Sequence, residues 1–302
     1  MTLLIVGTVA FDAVETPHGK VDRMLGGAAT YAAVAASYFT PVRVVSVVGD
    51  DFSPREHAIF RGRPIDTAGI ERVAGKSFFW SGRYAENMND RVTLETQLNV
   101  LAGFDPKLPD HFRDSRFVFL ANIQPSLQFN ALRQLKTKPK LVALDTMNFW
   151  IEGAMAELRT VLRCVHVLLI NDSEARQLSG RHSLVEAAGK IRAMGPKAVV
   201  IKRGEHGATL FAGKTTFSAP AMPLKLVRDP TGAGDSFAGG FMGSLTASGA
   251  ITDASLRRAM IYGSVMGSFT VEHFGLGRLR RLTKKQIAAR ARQFRHLTHF
   301  TL

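Results

Sequence analysis

Cysteine is almost missing from this 302-residue chain. The single one, Cys164, allows no intrachain disulfide and no multi-cysteine zinc site. Such usage fits a reducing, cytoplasmic compartment. Long apolar runs are missing too. None reaches the roughly 18 residues of a membrane span, and the opening MTLLIVGTVAF lacks a basic leader and reads as a buried strand. No membrane partner is expected. Several catalytic motifs are absent: there is no G-x-x-x-x-G-K-[ST], no protein-kinase motif set, no H-E-x-x-H and no G-x-S-x-G elbow. P-loop, protein-kinase, zincin and α/β-hydrolase chemistry are therefore excluded. Acidic residues are scarce, 25 against 39 Lys and Arg, for a net charge of +14. Such a surface attracts polyanions or phosphorylated small molecules.

What is present is an ordinary globular mix, 46% hydrophobic and 21% charged, long enough to bury a large core. Leu3–Val9 and Val42–Val48 read as buried strands flanking an alanine-rich helix over Gly26–Phe39. That strand–helix–strand order predicts a parallel sheet. The rhythm resumes after Phe104. Strands are expected at Phe117–Ala121, Leu141–Leu144, His166–Ile170, Ala198–Lys202, Gly207–Phe211 and Thr215–Ser218. Helices are expected at Pro125–Leu135, Trp150–Arg163, Ser173–Ser179, Leu184–Met194, Gly232–Ser248, Asp253–Glu272 and Thr283–His296. Between them, 76–103 reads as a β-hairpin turning at Asn87–Asp90, and a shorter hairpin spans about 13–25. One α/β domain over 1–302 with a small β lid is the organisation this implies.

The strongest chemical signal is Asp229–Phe241, DPTGAGDSFAGGF. Gly232, Ala233 and Gly234 can present consecutive backbone N–H groups where a helix begins, and the helix dipole adds to them. That is a cradle for phosphate. Asp235 puts a carboxylate beside the cradle, a costly placement unless it accepts a proton from a hydroxyl that attacks a γ-phosphate. Other segments are ambiguous by themselves. Asp12 reads as a lid-turn residue or a ligand contact. Gly26 and Gly27 read as a helix start or a close backbone approach. Asn122 is a surface turn or a substrate contact. Asn171 and Glu174 have N-cap spacing. Lys202, Gly204 and Gly207 suit a turn between strands or a nucleotide contact.

DPTGAGDSFAGGF closely resembles the C-terminal signature of the ribokinase-like, or PfkB, carbohydrate kinases. LGGAATYAAVAASYF with VVGDD, NDSEARQL and IKRGEHGATLF resemble further family segments in the expected order. The resemblance implies a ribokinase-like three-layer α/β fold with a mainly parallel central sheet and a small β-sheet lid. It implies ATP-dependent phosphorylation of a small alcohol (a sugar, polyol or nucleoside), with Asp235 as general base and Gly232–Gly234 as anion hole. Asp12, Gly26, Gly27, Thr30 and Asn122 would bind the acceptor. Asn171, Glu174, Lys202, Gly204 and Gly207 would bind ATP, with Glu174 near Mg²⁺ through water, since Mg²⁺ keeps several waters. Asp229, Thr231 and Gly275 fall where several relatives hold a monovalent cation such as K⁺. Ala10 and Thr30 replace amide side chains of ribokinase proper, which argues against ribose. Relatives commonly form homodimers through lid strands, and KSFFWSGRY is apolar enough for that.

Two alternatives accompany this reading. Phe11, Phe79 and Trp80 could stack on a base, as a nucleoside kinase requires, or simply pack the lid. The second is of another class. Eight basic residues and no acid lie between Arg278 and Arg295, and without them the net charge would be +6. Ile287, Ala291 and Phe294 give this segment an apolar face, so it reads as an outer helix docked on the core. A polyanion-binding role is the alternative, but no RNA-binding motif or aromatic-interleaved basic stripe accompanies it, so nucleic acid is not the expected partner.

Overall fold

The computed structural model describes residues 1–299 and 301. The chain begins with β1 (Leu3–Val6), the hairpin of β2 (Ala10–Thr16) and β3 (Gly19–Gly26), helix α1 (Ala28–Ala36) and β4 (Val42–Val48). A one-turn helix α2 (Pro54–His57), strand β5 (Ile65–Arg72) and a hairpin of β6 (Phe79–Tyr84) and β7 (Arg91–Gln97) follow. Next come β8 (Phe117–Leu120), α3 (Pro125–Arg133), β9 (Leu141–Asp145), α4 (Asn148–Gly153), α5 (Met155–Leu162) and β10 (Val167–Asn171). Helices α6 (Asp172–Ser179) and α7 (Leu184–Arg192) precede β11 (Ala198–Lys202), β12 (Ala208–Ala212) and β13 (Thr215–Ala219). Helices α8 (Ala233–Ser248), α9 (Asp253–Thr270) and α10 (Lys284–Thr298) complete the fold.

Nine strands form one sheet in the order β13-β12-β11-β10-β9-β8-β1-β4-β5. Its pairings are parallel except β11–β12 and β12–β13. Leu3 lies beside Val42 on one side and Phe117 on the other. Helices cover both faces, which is why β1, β8 and β9 are buried along their whole length and, apart from the terminal Asp145, apolar. Alternate residues serve opposite cores. Leu3, Ile5, Phe117 and Phe119 join Phe241 and Met260 of α8 and α9. Leu4, Val6, Val118 and Leu120 join Leu158 and Ile191 of α5 and α7. The result is the expected three-layer α/β arrangement.

Four strands form the lid in the order β3-β2-β6-β7. Both hairpins are antiparallel, and a parallel β2–β6 pairing joins them. Asp12 is thus inside a strand rather than in a loop after β1. The apolar segment KSFFWSGRY supplies β6, an inner strand, so the free edges of the lid are β3 and β7. Val92 and Leu94 of β7 are exposed.

Two local features differ from the sequence reading and a third follows it. The helix expected over Trp150–Arg163 breaks at Ala154, whose φ of −140° and ψ of 38° are not helical. Trp150 Nε1 donates to Asn122 Oδ1 at 2.9 Å, tying α4 to the end of β8. Strand β5 is an edge strand of mostly exposed and half-buried residues interrupted by Gly69, so it carries little apolar signal. The basic C-terminal helix docks as the apolar face predicts. Ile287 and Phe294 are buried, and Arg290 donates to Glu272 at 2.7 Å while covering the Phe269 ring.

Candidate active site

Parallel strands deliver their C-terminal ends to one edge of the sheet, where open α/β folds hold their ligands. Asp145, Asn171 and Lys202 end β9, β10 and β11 there, and Asn122 lies two residues past β8. The N-terminus of α8 arrives at the same edge. Gly232 takes a left-handed conformation, φ 74° and ψ 2°, which turns the chain into the helix. A Cβ on Gly232 would lie 2.5 Å from the Tyr31 ring, so only glycine fits. Ala233, Gly234 and Asp235 form the first turn of α8. A Cβ on Gly234 would lie 3.1 Å from Lys202 Nζ, so a cation faces the same turn.

Carboxylates crowd this point. Asp12 of β2 is 5% exposed. Its position depends on Gly26, where a Cβ would lie 1.9 Å from Asp12 Oδ2. Burial, with the charges of Asp235 and Asp229 behind it, pushes the Asp12 pKa up to about 7 against the opposing Gly27 N–H. Gly27 is the N-cap of α1. Burial and the Asp145 charge push Asp235 up to about 6, although Lys202 and Arg91 pull it down. Burial likewise raises Glu174 to about 7, with Lys202 opposing and Asp145 adding to it.

Lys202 binds this cluster together. Its Nζ lies 2.9 Å from Asp145 Oδ2. Burial works against its charge, but Asp145 and Glu174 prevail and hold it above the usual lysine value. Asn171 and Glu174 form a reciprocal cap on α6. Glu174 N–H donates to Asn171 Oδ1 at 2.8 Å, and Asn171 N–H donates to Glu174 Oε2 at 3.0 Å. The cap therefore anchors Glu174 beside Lys202, with Oε2 turned to the backbone.

The remaining expected residues separate into three groups. Asp229, Thr231 and Gly275 come together: Asp229 is fully buried and accepts from Thr231 N–H and Gly275 N–H, each at 2.9 Å. Each Asp229 carboxylate oxygen thus takes one backbone N–H, which fixes the loop and leaves each oxygen further acceptor capacity. Gly204 and Gly207 both have positive φ in the turn between β11 and β12. Asn89, at the tip of the β6–β7 hairpin, donates to Glu205 at 3.2 Å, so the lid touches this turn. Thr30 and Asn122 are less available. Thr30 is fully buried in α1, its hydroxyl without a partner among the described residues. Asn122 has its carbonyl oxygen engaged by Trp150.

Four neighbours escaped the sequence reading, Asp145, Tyr31, Tyr84 and Arg91, while Trp80 entered it as a residue that could stack on a base or pack the lid. Asp145 had a usable signal, a carboxylate ending an apolar strand. Tyr31, Tyr84, Trp80 and Arg91 reach the site only through tertiary packing. Thr231 Oγ1 donates to the Tyr84 hydroxyl at 3.3 Å. Arg91 lies opposite Tyr84 in the β6–β7 ladder, and the phenol and the guanidinium influence each other's charge. Trp80 is the register partner of Asp12, so both side chains project from the same face of the lid as Tyr84. Its indole lies across Gly82. Phe11 and Phe79 project from the opposite face, where Phe11 packs on Phe52 and under Arg23. Among the described residues, no group of three or more His, Cys, Asp or Glu side chains could hold a metal by itself.

The model of the pfkB family carbohydrate kinases matches residues 3–281. The chain belongs to the PfkB family of carbohydrate kinases. It is accordingly a kinase, an ATP-dependent phosphotransferase of the sugar and nucleoside class. It is 30% identical over 248 residues to a cytidine kinase of Thermococcus kodakarensis, covering 80% of this chain and 87% of that one. It is 28% identical over 289 residues to an inositol 3-kinase of Arabidopsis thaliana, covering 90% and 74%. A structure of an E. coli protein described as a putative ribokinase II, in complex with ATP and Mg²⁺, superposes with a TM-score of 0.78 at 18% identity over 97% of this chain and 99% of that one. That likeness is one of fold. No helix among the described residues is long and apolar enough to cross a membrane.

Proposed function

We propose that this PfkB-family kinase transfers the γ-phosphate of ATP to a hydroxyl of a nucleoside, with a polyol such as an inositol as the second reading. One observation supports the phosphotransfer mechanism: Asp235 stands in the first turn of α8, directly after Gly232 and Gly234, whose N–H groups have no acceptor among the described residues, while the Ala233 N–H between them turns to the Pro230 carbonyl at 3.1 Å and Lys202 faces the turn. The γ-phosphate rests on those N–H groups, which stabilise charge spread over its equatorial oxygens. Lys202 neutralises the phosphates, and its pairing with Asp145 holds its ammonium in place. ATP extends from there along the turn at Gly204 and Gly207.

Asp12 accepts hydrogen bonds from the acceptor hydroxyls, and Gly26 and Gly27 let the acceptor approach the backbone. Asp235 takes the proton of the attacking hydroxyl. With its pKa near 6 it is mostly ionised at pH 7 yet remains a competent base. Because phosphoryl transition states are loose, alignment of the acceptor contributes more than base strength. The oxygen-rich set of Glu174 and Asp145 fits Mg²⁺ held largely through waters. Mg²⁺ supplies neutralisation of phosphate charge. The lid, touching the nucleotide turn through Asn89 and Glu205, excludes water from the transfer.

Trp80 supports the nucleoside as acceptor: its indole shares a lid face with Asp12, and a base would stack on it by displacing the Arg91 guanidinium, which lies over the ring at 5.6 Å. The cytidine kinase relative accords with this. The inositol 3-kinase, similar over more of this chain, supports the second reading. The experiment is product formation from Mg²⁺·ATP with cytidine, other nucleosides, myo-inositol and ribose. Cytidine or another nucleoside should give the highest kcat/KM. A preference for myo-inositol would decide for the polyol.

A further inference from the structure

The opposite edge of the large sheet, where the strands begin, carries a second cavity of about 780 Å³. None of its lining residues belongs to the site described above. Its floor is apolar: Leu141, Val167 and Ala198 open β9, β10 and β11, and Leu256 of α9 closes one side. Its rim is basic, formed by Lys140, His166, Arg192 and Lys197. Asp253, the acid among the described lining residues, is already paired with Arg257 at 2.7 Å.

The basic groups are positioned rather than loose. Lys140 Nζ donates to the Gly249 carbonyl at 2.5 Å, and Arg192 Nη1 donates to the Gly213 carbonyl at 3.0 Å. Both cations keep further N–H donors. His166 Nδ1 accepts from Val142 N–H at 3.0 Å. That bond fixes the tautomer, so the neutral ring carries its proton on Nε2. Arg192 Nε, buried at this rim, has no acceptor among the described residues. Burial holds the His166 pKa below the usual histidine value, and the charges of Lys197 and Lys138 lower it further. Such crowding of positive charge is relieved by an anion.

We infer that this cavity is a second ligand site, for an anion with a flat apolar body of the class of a nucleoside monophosphate. The volume lies within the range of small-molecule pockets. The apolar floor takes the flat body, and the basic rim takes the phosphate. This inference stands on the cavity alone and is independent of which acceptor the kinase uses.

The test follows the His166 Hε1 resonance of the full chain by NMR, assigned with His166→Gln. CMP, inorganic phosphate and cytidine are titrated separately. CMP should move the resonance saturably and raise the pH at which it titrates. Arg192→Ala/Lys197→Glu, at unchanged melting temperature, should weaken CMP at least about tenfold at this site. Phosphate alone should bind more weakly than CMP, and cytidine should leave the resonance in place. A resonance unmoved by millimolar CMP, an equal response to phosphate or cytidine, or an unchanged affinity in the variant overturns the inference. CMP bound only at the kinase site leaves His166 unmoved, so failure here is distinct from failure of the nucleoside reading.

Discussion

Replacing Asp12 by asparagine should make the fold more stable at alkaline pH while weakening acceptor binding. Asp12 is buried among Asp229 and Asp235, and its pKa rises from 3.8 to about 7 on folding. A carboxyl whose pKa is raised by folding stabilises the native state fully below the unfolded value. That contribution is lost as pH climbs through the folded one. One pKa step is worth about 1.4 kcal/mol, so the wild type gives up about 2.5 kcal/mol at this group between pH 5 and pH 8. Asparagine keeps the shape and can still accept from the Gly27 N–H, but it carries no charge. Denaturant unfolding of both proteins at pH 5 and pH 8 measures the effect. The stability advantage of Asp12→Asn should grow by about 2 kcal/mol from the lower pH to the higher. An advantage that does not change with pH, or a variant less stable at pH 8 than the wild type, would refute the charge argument.

Further outcomes follow from the same geometry. Gly232→Ala forces a left-handed φ on a residue with a Cβ and drives that atom into Tyr31, so thermal unfolding should show a loss of about 2–4 kcal/mol, together with loss of turnover. Asp235 and Asp12 must both be ionised, with pKa values near 6 and 7. The kcat/KM profile should therefore fall on the acidic side between pH 6 and 7, and a profile still flat at pH 5 would contradict the assignment. Trp80→Ala should raise the KM for a nucleoside about tenfold, by a stacking contribution of roughly 1–1.5 kcal/mol, while leaving the KM for ATP unchanged. Equal effects on both KM values would remove Trp80 from the acceptor pocket.

Much of this architecture was legible because buried strands and glycine turns leave local traces. Val42–Val48 and Ala198–Lys202 have the limits that their apolar runs suggest. The start of α8 follows Gly232, where the glycine-rich string places a helix. Strand β5 was not legible, since an exposed edge strand needs no apolar alternation. The break at Ala154 was hardly legible either. Alanine itself favours helix, and the local trace was the preceding Gly153, a poor helix former that ends α4. In the candidate site, Asp235 and the glycines stand out in the sequence because the proposed anion cradle is a contiguous segment. The Lys202–Asp145 pair joins residues 57 positions apart on strands separated by β10. Tyr84, Arg91 and Trp80 reach the site only because the lid hairpins pair through β2 and β6. Such contacts depend on topology, which no local motif encodes.

The central claim is that Asp235 accepts the proton of a hydroxyl attacking ATP at the α8 N-terminus. Its most direct test is product formation by Asp235→Asn with Mg²⁺·ATP and the best acceptor of the wild type, alongside ATP affinity measured by calorimetry. The account predicts turnover lower by about 100-fold or more with ATP affinity nearly unchanged. Near-normal turnover in the variant would contradict it.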